Sequence, residues 1–140
     1  MAIKADLHPE LTYRILGSAM KVHRALGPGL IEKTYRRCLE HQLKLDGMDV
    51  ACEVPIDIEY EGLALKAAYF ADLVIDGKAL VELKAVEEIS PVHATQVITY
   101  LKLAHLPVGL LINFNVPVLT AGIRRFANSA ALRTPSRLPA

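Results

Sequence analysis

The sequence predicts an α/β fold in which three antiparallel strands form a meander, a crossover helix leads to a parallel fourth strand, and helices precede the sheet. Three observations support this prediction. Helical periodicity dominates residues 9–45, alternation and short apolar runs occupy residues 49–83, and a capped helical segment then leads into an apolar run at 108–114. Since 52% of the 140 residues are apolar, we expect one well-packed domain over residues 1–130 and a flexible tail over 131–140.

Two helices are expected before the sheet. The first runs from Pro9 to Leu26, and its apolar positions recur at helical spacing: Tyr13, Leu16, Met20, His23 and Leu26. The Gly-Pro-Gly segment at 27–29 ends this helix and begins a second one over residues 30–45. The second helix is expected to bury a stripe of Tyr35, Leu39 and Leu43.

Glu32 lies three residues before Tyr35, so it borders or enters the buried stripe of the second helix. One interpretation is a surface ion pair with Arg36, four residues later. The other is a carboxylate that points inward, toward a cation site. The helical position alone does not choose between them.

Three strands are expected in the middle of the chain. Residues 49–60 alternate between apolar and mainly acidic, and Pro55 places this strand at a sheet edge or at a bulge. The second strand ends at Ile75, and the third covers residues 79–83.

Ser90 and Pro91 start the crossover helix, which we expect to end near His105. The apolar run 108–114 predicts a strand that is buried on both faces. Because consecutive strand, helix and strand form a right-handed crossover, this strand should pair parallel to residues 79–83. Residues 120–130 are expected to form a short final helix.

Charged residues interrupt the apolar hairpin around Asp76-Gly77. Asp72 lies in its first strand, and Glu82 and Lys84 lie two residues apart in its second, so these last two share a face. Burying such charges is costly unless they are paired or bind a metal. Two acids and a lysine on one face are the groups that a divalent cation and a hydrolytic water need.

The turn decides whether these groups share a face. A two-residue turn at Asp76-Gly77 would put Asp72 on the opposite face from Glu82. We therefore predict an irregular turn or bulge over residues 75–77, with Gly77 in the left-handed region, which sets Asp72 opposite Leu80 and diagonal to Glu82.

The distribution of charge and of apolar residues indicates what kind of protein this is. The formal net charge is only +1, but an acidic centre at 46–88 is flanked by basic segments. This pattern suits a cation site beside a phosphate-binding rim, and the alternative is ordinary solvated charge. No apolar run approaches a membrane span and no signal-peptide pattern is present, so we expect a cytoplasmic protein. Cys38 and Cys52 are expected as buried apolar residues rather than as a disulfide or zinc site.

The order of elements and residues resembles the PD-(D/E)XK nuclease superfamily, which implies a restriction-endonuclease-like core. The segment 96–100, Gln-Val-Ile-Thr-Tyr, resembles the Q-x-x-x-Y element of its RecB-like branch. More closely, Gly29-Leu30-Ile31-Glu32-Lys33-Thr34-Tyr35 resembles the signature of the GxxExxY protein family, as do the segments 81–86 and 109–114. The resemblance covers about residues 10–126 and implies a prokaryotic protein.

The resemblance implies a metal-dependent nuclease that hydrolyses phosphodiester bonds of nucleic acid, DNA rather than RNA. Asp72 resembles the PD aspartate, Glu82 and Lys84 the acid and lysine of (D/E)XK, and Glu32 the acid of the first core helix. Mg²⁺ or Mn²⁺ would then be held by four groups: Asp72, Glu82, the Leu83 carbonyl and Glu32, the last directly or through water.

In the same resemblance, Lys84 would orient the attacking water, and Gln96 and Tyr100 would brace the site and contact the phosphate. Two residues depart from the pattern. Ala71 stands where the superfamily motif has proline, and Phe70 stands where the closer family usually has arginine, which removes a positive charge beside the site.

Each residue also has an ordinary structural interpretation. Glu82 and Lys84 could form an ion pair, Asp72 could bind a loop amide, and Gln96 with Tyr100 could be a plain helix face. A second hypothesis is therefore a nuclease-like module that binds nucleic acid or a protein partner without cleaving. No separate DNA-binding module is visible, so a free-standing nuclease would need a homodimer or a protein partner for affinity.

Overall fold

The structure is a computed structural model that describes residues 7–132, 136 and 138. Five strands form one mixed sheet in the order β1-β2-β3-β4-β5. They are β1 (Val50–Tyr60), β2 (Leu63–Ile75), β3 (Ala79–Lys84), β4 (Val108–Asn113) and β5 (Ile123–Ala127). Helices α1 (Pro9–Leu26) and α2 (Glu32–Leu45) cover one face, and α3 (Pro91–Ala104) covers the other. The predicted fold class is confirmed, and the predicted tail at 131–140 lies largely outside the described residues.

The buried stripe of α1 matches the predicted one only in part, because His23 is buried and Leu16 and Met20 pack against the core, whereas Leu26 is exposed. Leu11, Ile15, Ala19 and Val22 face the core, whereas Tyr13 is 80% exposed. Ala19 lies in the same core cluster as the buried residues of α2, and the exposed tyrosine keeps its hydroxyl in water. Within the described part of the chain, no helix has both the length and the apolar character needed to cross a bilayer.

The buried stripe of α2 is confirmed, because Tyr35, Leu39 and Leu43 are fully buried. The helix begins at Glu32, two residues later than predicted. Gly29 has a φ of 101° and Ile31 is extended, so the chain becomes helical only after these residues.

The parallel pair at the centre of the sheet is also confirmed. β3 and β4 pair in parallel from Ala79↔Val108 to Lys84↔Asn113, and every residue of β4 is buried. α3 approaches β4 closely at Gly109, where an added Cβ would lie 2.9 Å from Cγ1 of Val97. The crossover helix is therefore seated directly on the strand.

The predicted final helix over 120–130 is wrong. Two short 3₁₀ turns, Leu119–Gly122 and Ser129–Leu132, enclose strand β5, which pairs antiparallel with β4. Without β5, the outer edge of β4 would leave buried backbone donors and acceptors unpaired. Local sequence pattern could not reveal this tertiary requirement.

β1 is an edge strand, as Pro55 predicted, and with β2 it extends beyond the core as a two-stranded arm, residues 57–68. At its base, three residues of β2 (66–68) lie opposite the single Asp57, whose carboxylate accepts a 2.7 Å hydrogen bond from the Ala67 N–H. The arm is amphipathic: one face carries Ile58, Tyr60, Leu63 and Leu65, and the other carries Asp57 and Glu59.

Candidate active site

The site begins where β2 and β3 separate. Their ladder ends at the pair Leu73↔Val81. At the next position two side chains replace the ladder: the Glu82 carboxylate accepts a 3.0 Å hydrogen bond from the Asp72 N–H, and the Asp72 carboxylate accepts a 2.9 Å bond from the Leu83 N–H. These two bonds place an acid pair, Asp72 and Glu82, at the fork between the strands.

The predicted irregular turn is confirmed, but it lies one residue later than predicted. Asp76 and Gly77 have φ values of 53° and 65°, and residues 76–78 connect Ile75 to its partner Ala79. The Asp76 carboxylate accepts a 2.8 Å hydrogen bond from the Asp49 N–H, which holds the turn in place. With this register, Asp72 lies opposite Glu82. The two residues share a face, as predicted, but Asp72 is not opposite Leu80 and diagonal to Glu82, as the prediction had it.

The acid pair lies in a buried and negatively charged environment. Glu82 is only 4% exposed, and its pKa is raised to about 8, first by burial and then by the charge of Asp72, while the charge of Lys84 opposes the shift. One proton therefore stays on the pair near neutral pH. A divalent cation fits this oxygen donor set, because it would replace that proton and relieve the repulsion between the two carboxylates.

Glu32 approaches the fork from α2. Burial raises the pKa of Glu32, the charge of Asp72 raises it further, and the charges of Lys84 and Arg36 lower it. Its carboxylate is thus within electrostatic reach of the acid pair. Yet no three Asp, Glu, His or Cys side chains converge into a metal-ligand group anywhere in the described residues. Of the three predicted acids, Asp72 and Glu82 are in direct contact, and Glu32 stands at their rim.

Arg36 does not form the surface ion pair with Glu32 that was one interpretation of the sequence. The Arg36 guanidinium instead lies 3.0 Å from the Glu53 carboxylate and 3.9 Å from Oδ1 of Asp72. The ordinary structural interpretation of Asp72 is confirmed, because its carboxylate binds a backbone amide, that of Leu83. Asp72 is at the same time in contact with Glu82.

Helix α3 contributes a polar pair on the opposite side of the fork. Gln96 Nε2 donates a 2.8 Å hydrogen bond to the Tyr100 hydroxyl. Tyr100 is 5% exposed, and its pKa is raised by burial and by the charges of Glu82 and Asp72. The Tyr100 hydroxyl is therefore within electrostatic reach of both acids, and its burial shows that this face of α3 does not simply face solvent. The Tyr69 ring lies 5.5 Å from the Tyr100 ring.

The loop before α2 explains why Glu32 stands where it does. Tyr35 is fully buried and stacks on Phe114, with 4.7 Å between ring centroids. Its hydroxyl donates to the Gly27 carbonyl and accepts from the Leu30 N–H. The Asn115 side chain accepts a hydrogen bond from the Gly29 N–H. These contacts hold the loop and so set the first turn of α2.

Sequence reasoning missed Glu53 and Asn113 and gave Arg36 only a surface role. Asn113 is 2% exposed, and its amide both donates to the Val86 carbonyl and accepts from the Val86 N–H, which anchors the chain just after Lys84. The signal was an amide at the end of an otherwise apolar strand. Glu53 carried no signal, because it alternates like any exposed strand residue.

Comparison with known proteins agrees with this geometry. A profile of the PD-(D/E)XK nuclease superfamily matches residues 9–126. Comparisons with curated proteins and with solved structures gave no match. The matched range spans most of the chain and includes the fork, Lys84 and the crossover helix. The chain therefore belongs to the PD-(D/E)XK nuclease superfamily.

Proposed function

We propose that the protein is a metal-dependent nuclease that hydrolyses phosphodiester bonds of DNA. The observation that supports this most is the buried acid pair at the fork of β2 and β3, with Lys84 two residues beyond Glu82 on the same strand face. Such an acid pair is costly to bury without a cation. Because the chain belongs to a nuclease superfamily, a bound cation would serve phosphodiester hydrolysis.

Asp72 and Glu82 would hold Mg²⁺ or Mn²⁺ together with water, since both ions accept oxygen ligands. The Leu83 carbonyl would be a third ligand. Its N–H points toward Asp72, and in a strand the carbonyl of the same residue points to the same side, whereas the Lys84 carbonyl binds the Phe114 N–H on the other side. Glu32 would contribute through water. The bound ion would supply Lewis-acid polarisation of the phosphoryl oxygen and a water of lowered pKa.

The remaining groups act on substrate and water. The Lys84 ammonium orients the attacking water and offsets phosphate charge. Gln96, held by Tyr100, offers its amide to a phosphate oxygen or a water, and Glu32 with its raised pKa can accept a proton at the rim. Contacts of this kind bind any sequence, so they predict no base specificity.

We further infer that the chain belongs to the RecB-like branch and to the GxxExxY family. Two features support this inference. The Gln96–Tyr100 hydrogen bond gives the Q-x-x-x-Y spacing a physical role. Tyr35 clamps the glycine loop that precedes Glu32, so the three motif residues Gly29, Glu32 and Tyr35 work as one unit.

The test separates cation binding from cleavage. With purified protein and Mn²⁺, calorimetry should show binding that is lost in Glu82→Gln and retained in Lys84→Met. Cleavage of single- and double-stranded DNA should fall at least ~100-fold in both variants, because each removes a group that acts on the reaction. Glu59→Gln on the arm and Lys102→Met on the exposed side of α3 are matched controls. Absence of cation binding, or cleavage that survives both substitutions, would refute the proposal.

The alternative is a nuclease-fold module that binds a partner without cleaving. The apolar face of the arm favours this alternative, because Tyr60, Leu63 and Leu65 are 69%, 55% and 45% exposed on one side of the arm. We infer that this face contacts either a second copy of the chain or a protein partner. Sedimentation of wild type and Leu63→Asp tests the first: a dimer lost in the variant supports it. DNA affinity unaffected by Glu82→Gln and Lys84→Met, without cleavage, supports the module.

A further inference from the structure

We propose that Glu53 and Arg36 form a positioning pair in which Glu53 holds the Arg36 guanidinium at the rim of the acid pair, where it binds a substrate phosphate. In this position the guanidinium also stays outside hydrogen-bond distance of Oδ1 of Asp72, the carboxylate oxygen that the Leu83 N–H does not occupy. This inference rests on the proposed function and adds to it a phosphate contact and its regulation.

The geometry shows two carboxylates that compete for one guanidinium. Nη2 of Arg36 lies 3.0 Å from Oε1 of Glu53, and Nη1 lies 3.9 Å from Oδ1 of Asp72. The first distance is a close ion pair, and the second is longer than a hydrogen bond. Glu53 therefore has the stronger hold on the arginine.

The two oxygens of Asp72 have different environments. Oδ2 accepts the Leu83 N–H, and Oδ1 is the oxygen that faces Arg36. If the guanidinium moved to within hydrogen-bond distance of Oδ1, it would compete with a divalent cation for that oxygen. Holding Arg36 away keeps Oδ1 available.

The backbone at Glu53 is strained at this point. Glu53 has a φ of 47°, in the left-handed region that disfavours a side chain with a Cβ. The β1–β2 ladder pairs Cys52 with Leu73 and Val54 with Ala71, but it omits the pair between them, Glu53 and Asp72. Such strain persists where surrounding contacts impose it, and it concentrates at functional sites. Here it falls on the residue that holds Arg36 opposite an acid of the site.

The pair is built to exchange partners. The Glu53 side chain is 64% exposed, so its ion pair with Arg36 is weak and costs little to break. Arg36 is 21% exposed and is anchored on α2 one turn after Glu32. A guanidinium is planar and can donate two parallel hydrogen bonds to phosphate oxygens, so an arriving phosphodiester can replace Glu53.

The experiment uses the full chain with Arg36→Gln, Glu53→Gln, the double variant, and Arg37→Gln as a control on the exposed side of the same helix. Mn²⁺ affinity is measured by calorimetry without nucleic acid. We expect Glu53→Gln to weaken Mn²⁺ binding three- to tenfold, because the freed guanidinium moves onto Asp72. The double variant should restore it, which a merely structural role for Glu53 would not produce.

DNA binding is measured in Ca²⁺ over a range of salt concentrations. Arg36→Gln should weaken binding about tenfold and reduce the slope of log affinity against log salt by about one, while Arg37→Gln should do less. Arg36→Lys keeps the positive charge but loses the planar guanidinium, so its DNA affinity should fall between those of wild type and Arg36→Gln. Unfolding curves verify that each variant is folded.

Two outcomes overturn this inference alone: Mn²⁺ affinity unchanged in Glu53→Gln, or equal effects of Arg36→Gln and Arg37→Gln, in a wild type that binds Mn²⁺ and cleaves. If the wild type binds no Mn²⁺, the proposed function fails, and this inference fails with it.

Discussion

Replacing Glu82 by Gln should stabilise the metal-free protein at alkaline pH. Burial and the charge of Asp72 raise the pKa of Glu82 from its ordinary 4.5 to about 8, so the folded protein holds a proton that the unfolded chain has lost. Glutamine is nearly the same size and neutral, and its carbonyl can still accept the hydrogen bond from the Asp72 N–H.

The sign and size follow from proton linkage. Between the unfolded and folded pKa values, the folded state binds more protons, so the free energy of unfolding falls as pH rises. The loss is about 1.4 kcal/mol per pH unit for one such group, or about 3 to 4 kcal/mol from pH 5 to pH 8. In Glu82→Gln this loss is absent, so the variant should match wild type near pH 5 and exceed it by about 3 kcal/mol at pH 8.

The assay is urea unfolding in EDTA at pH 5, 6.5 and 8, with Glu59→Gln on the exposed side of the arm as a control that should follow wild type. Added Mn²⁺ should stabilise wild type at pH 8 and leave Glu82→Gln unchanged, because ligand binding to the folded state alone raises its stability. A wild-type stability that does not fall between pH 5 and 8, or a variant that falls in parallel with it, would refute the argument.

Three further predictions concern the scaffold. Gly122→Ala should cost about 3 kcal/mol in urea unfolding, since the added Cβ would lie 2.3 Å from the Asn113 carbonyl oxygen; Gly17→Ala, in open space on α1, should instead stabilise by about 1 kcal/mol, and equal effects would contradict the packing. Asp46→Asn should cost about 1 kcal/mol at pH 7, because the Ser18 hydroxyl and Lys21 hold the Asp46 pKa at about 2; wild-type stability should fall more steeply than the variant's from about pH 4 to pH 2, so that the difference between them disappears. Tyr35→Phe should cost about 1 to 3 kcal/mol and speed hydrogen exchange at the Leu30 amide, because it leaves two loop groups without their partner; unchanged exchange would count against the clamp.

The candidate site could be predicted in part because its residues break local rules. Asp72, Glu82 and Lys84 interrupt apolar strands, and a charge in such a place needs a partner. The common face of Asp72 and Glu82 could also be predicted, since strand side chains alternate strictly and only an odd-numbered connection puts both on one face. The exact register did not follow from the sequence, because the turn is held by Asp76, whose carboxylate accepts a hydrogen bond from the Asp49 N–H just before β1.

The phase of α1 and the strand β5 could not be predicted for a different reason. Two apolar stripes overlap on α1, and only contact with α2 selects the one with Ile15 and Ala19. β5 has no strong strand pattern and forms because the edge of β4 needs a partner. Both are consequences of what lies next to the element rather than of its own residues.

By itself the sequence determined the three α-helices and the parallel crossover, because periodicity, caps and glycines act over a few residues. Only the tertiary structure decided that Glu32 stands at the rim, that Arg36 pairs with Glu53, and that the strands part at Asp72. These features join residues far apart in the chain. Their positions depend on the packing of whole elements, and no local pattern in the sequence encodes that packing.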